Sequence, residues 1–266
     1  MTLTDQTRQI VGFVWARMLG IDDGTFDEQP AVAPLVVVDE SSSAVRIVSL
    51  FGHTIISGPP AACDVLAAAQ TAQLASDRRL LELLLPQHPG ARTAGTARLL
   101  YCEEPSVPAA LDDDLPISFD PADASTLSAQ CPADDVAASG VGAAEWTATM
   151  MHVPGGNDDR PGEPHGSDPS SAPSSSAAPG APGPVPVAAA GREIWHHALA
   201  HLGVLTRPDT RRTGLGTRIA AIAAEEAFVE GLVPQWRVPE GSVAAARIAE
   251  RIGFSQAGSQ TTVLLS

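Results

Sequence analysis

Lysine is missing from the 266 residues: all 16 basic side chains are arginine, against 31 acidic ones, for a net charge of −15. A chain this acidic repels phosphate backbones and anionic lipid, so neither nucleic acid nor a membrane surface is an expected partner unless a local patch overrides the mean. Residues 192–266 are where such a patch would lie, with 8 arginines against 7 acids, whereas residues 1–191 carry 8 against 24. Cysteine is scarce as well. Cys63, Cys102 and Cys131 are odd in number and far apart, which gives neither a disulfide framework nor a paired zinc motif and suits a reducing compartment. A long uncharged hydrophobic run is also lacking, since Asp5, Arg8 and Arg17 interrupt the first twenty residues. Neither a signal peptide nor a spanning helix is expected there, and the default compartment is cytoplasmic. What is plentiful is ordinary core material, 44% of the chain being hydrophobic.

The periodicities place a helix at Gln6–Leu19, short strands at Pro34–Val38, Val45–Leu50 and His53–Ser57, a helix at Ala61–Ala75 opened by Pro59 and Pro60, a short helix at Leu80–Leu85 and a strand at Ala97–Cys102. Glu103–Pro116 reads as a linker. A helix at Ala122–Ala138 follows, then strands at Glu145–Val153, Val185–Trp195 and Leu199–Thr206, a helix at Gly214–Glu230, a strand at Val233–Val238, a helix at Ser242–Arg251, and two terminal strands at Phe254–Ala257 and Gln260–Leu265. The order is that of an α/β chain with a mixed, α+β-like sheet. Residues 154–186 hold nine prolines, six glycines and six serines, a composition expected to stay disordered.

One segment carries chemistry. Leu205-Thr206-Arg207-Pro208-Asp209-Thr210-Arg211-Arg212-Thr213-Gly214-Leu215-Gly216-Thr217 joins an apolar strand to a helix whose Leu215, Ile219, Ile222 and Val229 share one face. Glycines at the helix start bare the backbone N–H groups at the positive end of the helix dipole, and Arg211 and Arg212 add formal charge: a pyrophosphate site has these requirements. The same features also occur in solvated loop-to-helix junctions. A Walker loop is disfavoured by the missing lysine, and a dinucleotide fingerprint by the missing third glycine.

With Arg-x-x-Gly-x-Gly in that position, the segment resembles the coenzyme A loop of the GNAT superfamily of acyl-CoA-dependent N-acetyltransferases. The likeness extends to Leu199–Thr206, similar to the family's fourth strand, and to Trp236–Phe254 with its closing Gly253-Phe254, similar to the fifth strand and following helix. It covers residues 117–266 less the proline-rich stretch. The resemblance implies a V-shaped split between those two strands, with Val204, Leu205 and Thr206 offering main-chain groups to the pantetheine arm and Arg211, Arg212, Thr213, Gly214, Leu215, Gly216 and Thr217 cradling the pyrophosphate of acetyl-CoA. No metal is implied. The implied reaction is direct attack of an amine, on a small molecule or a peptide, on the thioester, for which something must take the ammonium proton.

Here the chain departs from the family. Ala249 stands where a tyrosine acid is often found, Ser242 where an asparagine often assists the cofactor, and Ala200 where several members place a carboxylate base. His201, which strand alternation sends to the face opposite Ala200, is the nearest titratable candidate, although a sheet histidine is more often simply packed. Glu193, His196 and His197 are further candidates; His197-x-x-x-His201 would suggest a metal only on a helix, and these residues read as turn and strand. Cys131 lacks an adjacent base and reads as a packed thiol.

In this frame residues 154–186 become an insertion between two antiparallel strands, costing only about 2 kcal/mol in loop entropy. The expected organisation is therefore an N-terminal α+β unit at 1–115, of unknown role or a degenerate copy of the same fold, and a GNAT-like domain at 116–266. An N-acetyltransferase, as monomer or homodimer, competes with a degenerate domain that keeps coenzyme A as a sensor or interaction module.

Overall fold

The computed structural model describes residues 3–106, 115–154 and 183–265. Its strands are β1 (Leu35–Val38), β2 (Ala44–Leu50), β3 (His53–Gly58), β4 (Arg92–Tyr101), β5 (Ile117–Ser118), β6 (Trp146–His152), β7 (Val185–Trp195), β8 (Leu199–Thr206), β9 (Val233–Pro239) and β10 (Ser255–Leu264). They form one sheet in the order β1-β3-β2-β10-β4-β9-β8-β7-β6-β5. Only β1/β3 and β8/β9 are parallel. Because β10, from the end of the chain, lies between β2 and β4, the sheet continues unbroken past the boundary expected near residue 115.

Helices cover both faces. On one face α1 (Asp5–Leu19) lays Val11, Val14 and Trp15 on Val48, Leu50, Leu99, Tyr101 and Leu199. It begins at a Thr4 cap and ends at Gly20, whose positive φ of 69° suits a residue without Cβ. Beside it α5 (Pro121–Ala129) packs Ala124 and Leu127 on Ala189 and Leu205, followed by α6 (Ala133–Ser139). The opposite face carries α2 (Pro60–Ala67), α3 (Thr71–Leu74) and α4 (Asp77–Leu84) near β2 and β3, and α7 (Leu215–Val229) with α8 (Val243–Arg251) near β7, β8 and β9. Alanines dominate where α7 meets the sheet: Ala220, Ala223, Ala224 and Ala227 share a core with Ala188, Ala190 and Ala200. Small side chains on both partners bring the helix close to the strands, which fixes where its N-terminus lies.

Several expected elements need correction. The helix expected at Ala61–Ala75 is two helices, with Gln70 and Gln73 forming a capping box at the restart. The one expected at Ala122–Ala138 is interrupted because Pro132 lacks an N–H and disfavours helix in the residue before it. The two terminal strands are one, with a bulge between Gln256 and Gly258, and the two-residue β5 was not anticipated. Strands β6 and β7 are antiparallel neighbours, His152 facing Val185, so the proline-rich stretch joins two paired strands. Its residues 155–182, and residues 107–114 of the expected linker, lie outside the described residues, while Val185 and Pro186 belong to β7.

Candidate active site

Among the described residues the sheet opens between β8 and β9. β8 pairs with β7 along its whole length, but with β9 only at Leu199↔Val233, Ala200↔Pro234 and His201↔Gln235. On its other edge β9 pairs with β4, Gln235–Pro239 facing Tyr101–Ala97. The main chain of Leu202–Thr206 therefore has no strand on its β9 side. A cavity of about 820 Å³ opens in the split and is lined by both strands, α6, the loop before α7 and α8.

The outer end of the cavity is the start of α7. Gly214 there has φ 94° and no side chain caps the helix, so the first-turn N–H groups keep the partial positive charge of the dipole. Gly216 faces the gap: a Cβ on it would lie 3.1 Å from Thr206 Oγ1 and 3.3 Å from Ile248 Cδ1, filling the space between β8 and α8. Arg211 donates from Nε to the Thr206 carbonyl at 3.3 Å and pairs through Nη2 with Asp135 of α6 at 2.7 Å, which ties the loop down. Arg212 is exposed and has no ion pair among the described residues. Six arginines line the cavity (Arg192, Arg211, Arg212, Arg237, Arg247 and Arg251) against two acids, Asp135 and Glu193. In a chain of charge −15 this is a local reversal of sign, and it favours an anionic ligand.

At the inner end lie His201 and its neighbours. Register puts Tyr101, Gln235, His201 and Glu193 in one row across β4, β9, β8 and β7, all on the face that bears α1. Trp195 stacks on His201 with ring centres 4.6 Å apart and is itself met edge-on by Trp15 of α1 at 6.4 Å. Burial, aided by the Arg237 charge, pushes the His201 pKa down to about 4, so the imidazole is neutral at pH 7. Burial likewise lowers Arg237, whose guanidinium sits 5.9 Å from the Trp195 ring centre. Glu193 is exposed to solvent at the end of the row.

The wall facing this floor is the end of α6. Gly191 and Gly203 are paired across β7 and β8, and the chain at Ser139–Ala144 lies directly on them. A Cβ on Gly203 would fall 1.7 Å from the Ser139 carbonyl oxygen, and one on Gly191 2.6 Å from Ala144 Cβ. A glycine in the middle of each strand marks such a close backbone approach and was a readable signal for this wall.

Of the expected coenzyme loop, Val204, Leu205, Thr206, Arg211, Arg212, Gly214, Gly216 and Thr217 line the cavity. Thr213 and Leu215 do not: the Thr213 hydroxyl donates to the Thr210 carbonyl, and Leu215 packs on the core beneath α7. His201 lines the cavity while Ala200 is buried on the other face against α7. Ser242 lines it too, and Ala249 is fully buried in the core, with no surface toward the cavity. His196 and His197 are the central residues of the turn that Ala198 N–H closes onto the Trp195 carbonyl between β7 and β8, with φ of 45° and 59°, so His197 and His201 do not share a helix face. Among the described residues no group of His, Cys, Asp or Glu could hold a metal. Cys131 lies beside the site, its sulfur 4.0 Å from the Thr206 carbonyl, with burial raising its pKa as expected of a packed thiol. Arg237, Arg247, Arg251 and Gln235 escaped the sequence reading, because only the register and the placement of α8 bring them to the split.

No protein-family model and no curated protein matches this chain. Among solved structures it is similar to a GCN5-related N-acetyltransferase from Kribbella flavida, at 18% identity and TM-score 0.42, covering 69% of this chain and 62% of that one. It is similar to an acetyltransferase from the GNAT family from Colwellia psychrerythraea, at 12% and 0.41, covering 75% and 63%. A GCN5-related N-acetyltransferase-like protein from Streptococcus suis 89/1591 matches at 13% and 0.49 over 98% and 99%. The chain spans less than two thirds of the first two. At this level the likeness assigns no family and no activity to this chain.

Proposed function

We propose that the chain is a GNAT-type acyltransferase that moves an acetyl group from acetyl-CoA to an amine. The observation that carries this reading is the parting of β8 from β9 after three residue pairs, with the uncapped start of α7 and Arg212 at the outer end of the gap. The residues suit the cofactor. The bare edge of Leu202–Thr206 offers alternating N–H and C=O groups to an amide-bearing arm, the α7 N-terminus offers donors to a pyrophosphate, and Gly216 leaves the room that any Cβ would take. Bound acetyl-CoA would supply an activated thioester.

The chain's own contribution is chiefly placement. An amine held between the α6 wall and the His201–Glu193 floor gains the advantage of proximity, which accounts for a large part of many acyl transfers. Glu193, an exposed carboxylate at the rim, attracts the incoming ammonium and passes its proton to water. His201 is held neutral, its pKa pushed down to about 4 by burial and the Arg237 charge, so taking the proton there would place a charge in a buried site. The acceptor is an amine on a small molecule or a peptide. We place the enzyme in the cytoplasm, without a nucleic-acid or membrane partner and with a homodimer left open. Residues 1–115 and 116–266 are proposed as two units of one sheet, the first supplying α1 and Tyr101 behind the floor.

A second reading, a coenzyme A sensor without catalysis, draws on the buried alanines at 200 and 249, where acid–base groups would stand. Release of free thiol from acetyl-CoA across a panel of small and peptide amines separates the two. Turnover on any amine supports the enzyme, and tight binding with no turnover on all of them supports the sensor.

A further inference from the structure

The floor of the split carries a cation without a counter-ion. Of the six arginines that line the cavity, Arg192 pairs with Glu230 and Arg211 with Asp135, while Arg212, Arg247 and Arg251 belong to the loop before α7 and to α8, where the cofactor is proposed to lie. Arg237 differs. Alternation along β9 sends Trp236 and Val238 into the core shared with α7, and Arg237 with Gln235 to the opposite face, which bears α1. The Arg237 guanidinium lies 5.9 Å from the ring centre of Trp195, which stacks on His201, so it stands beside the floor where the amine is proposed to sit. Among the described residues its side chain makes no ion pair and no hydrogen bond, and its Nε is sealed from solvent without an acceptor. The titratable groups near enough to act on its charge are Tyr101, which burial keeps neutral, and Arg46, another cation; no carboxylate is among them.

A largely buried guanidinium with no partner is costly to hold, and an anion entering the cavity offsets that cost. The planar fork of an arginine matches a carboxylate in particular. At the other end of the same floor stands Glu193, exposed and likewise without an ion pair among the described residues, in register with His201. Between the two charges the floor is uncharged, being formed by Trp195 and neutral His201. Ordinary strand spacing and rise set the Glu193 and Arg237 backbones on the order of 10 Å apart, so the two long side chains can close on a molecule only a few bonds across. We propose that Arg237 is a carboxylate-binding residue and that the acceptor is a free amino acid, its carboxylate on the Arg237 fork and its ammonium toward Glu193. The inference rests on the acyltransferase reading, which makes this floor the acceptor side. In that reaction the amine nitrogen bonds to the acyl carbon as the C–S bond breaks. Of the two ammonium protons lost, one leaves with the sulfur as coenzyme A thiol and the other goes to water, and the product is an N-acetyl amino acid.

The test compares free amino acids, each beside its own α-amide, as acceptors for thiol release by the full chain with acetyl-CoA. The amide keeps the amine and the side chain and removes the negative charge. For the best acid, kcat/KM should exceed that of its amide about tenfold or more, the size of one charge-assisted hydrogen-bonded pair, and the difference should lie in KM. In Arg237→Gln the preference for the acid should fall to near one. Arg237→Lys keeps the charge and loses the fork, so it should retain part of the preference, and it serves if the glutamine variant does not fold. A second readout needs no cofactor: in the chain labelled with 15N-arginine, the Arg237 Nε–H signal, assigned by its loss in either variant, should move with amino acids at millimolar concentration and stay put with their amides. Amides used as well as acids, a preference that survives Arg237→Gln, or an Nε–H signal that no amino acid moves overturns the carboxylate site. A signal moved by acids alone, with no thiol release from any acceptor, upholds the carboxylate site and fails the acyltransferase reading; thiol release from acids and amides alike fails the carboxylate site alone.

Discussion

Replacing Gly203 with alanine adds one methyl group, and the backbone leaves it nowhere to go. The new Cβ would lie 1.7 Å from the Ser139 carbonyl oxygen, and contacts of this kind essentially never fall below 3.0 Å, so the two chains must separate by about 1.3 Å. A carbonyl has no rotamer to swing, and Gly203 is held on β7 through its register with Gly191. The yielding partner is α6, which has no buried residue of its own and ends at Gly140 in a left-handed cap. Overpacking of this kind costs about 1–3 kcal/mol. At roughly 2–4 °C per kcal/mol for a chain of this size, the melting temperature should drop by several degrees. The displacement also strains the Arg211–Asp135 pair, which links α6 to the loop before α7. Thermal unfolding followed by circular dichroism measures the first effect, and limited proteolysis within residues 133–144 the second. A melting temperature within about a degree of the original, with unchanged cleavage, would show that Ser139 does not rest on Gly203.

Three further outcomes are expected. Gly214→Asp should abolish acetyl-CoA affinity while the chain still unfolds cooperatively, because a carboxylate then stands at the α7 N-terminus where the pyrophosphate is proposed to bind; unchanged affinity refutes the loop assignment. The His201 pKa falls from 6.5 unfolded to about 4 folded, so its contribution to stability is complete above pH 6.5 and is lost as pH falls toward 4. The loss is on the order of 3 kcal/mol, and urea titrations at pH 7.5 and 4.5 should show a smaller drop in His201→Leu than in the unaltered chain. Replacing residues 155–182 with a four-residue glycine-rich turn should preserve a single unfolding transition, since His152 already pairs with Val185; a second transition or loss of cooperativity counts against it.

What the sequence made legible was local. Gly214 and Gly216 at a strand-to-helix junction announced a bare helix start, and alternation sent Ala200 and His201 to opposite faces, because each signal is complete within a few residues. The parting of β8 from β9 was not legible from periodicity, since it depends on how far two strands some 30 residues apart stay paired, which the alternation of neither strand encodes. The same holds for β10, whose place between β2 and β4 is a matter of long-range pairing that its own alternation does not encode. Tyr101 illustrates the cost. By position in the chain it lies outside the coenzyme-like segment, yet in the sheet it stands two strands from His201, with Gln235 between them. Arg247 and Arg251 reach the split only because α8 is docked over it.

The central claim, that the gap between β8 and β9 is an acyl-CoA site, meets its most direct test in titration calorimetry of the full chain with acetyl-CoA, beside Arg212→Glu. Arg212 is exposed and without an ion pair among the described residues, so reversing its charge should leave the fold intact. The account predicts saturable one-site binding to the unaltered chain and affinity reduced about tenfold or more in the variant, the size of a charge interaction of roughly 1–2 kcal/mol at a helix N-terminus. No heat of binding at millimolar acetyl-CoA, or equal affinity in the two proteins, would contradict it.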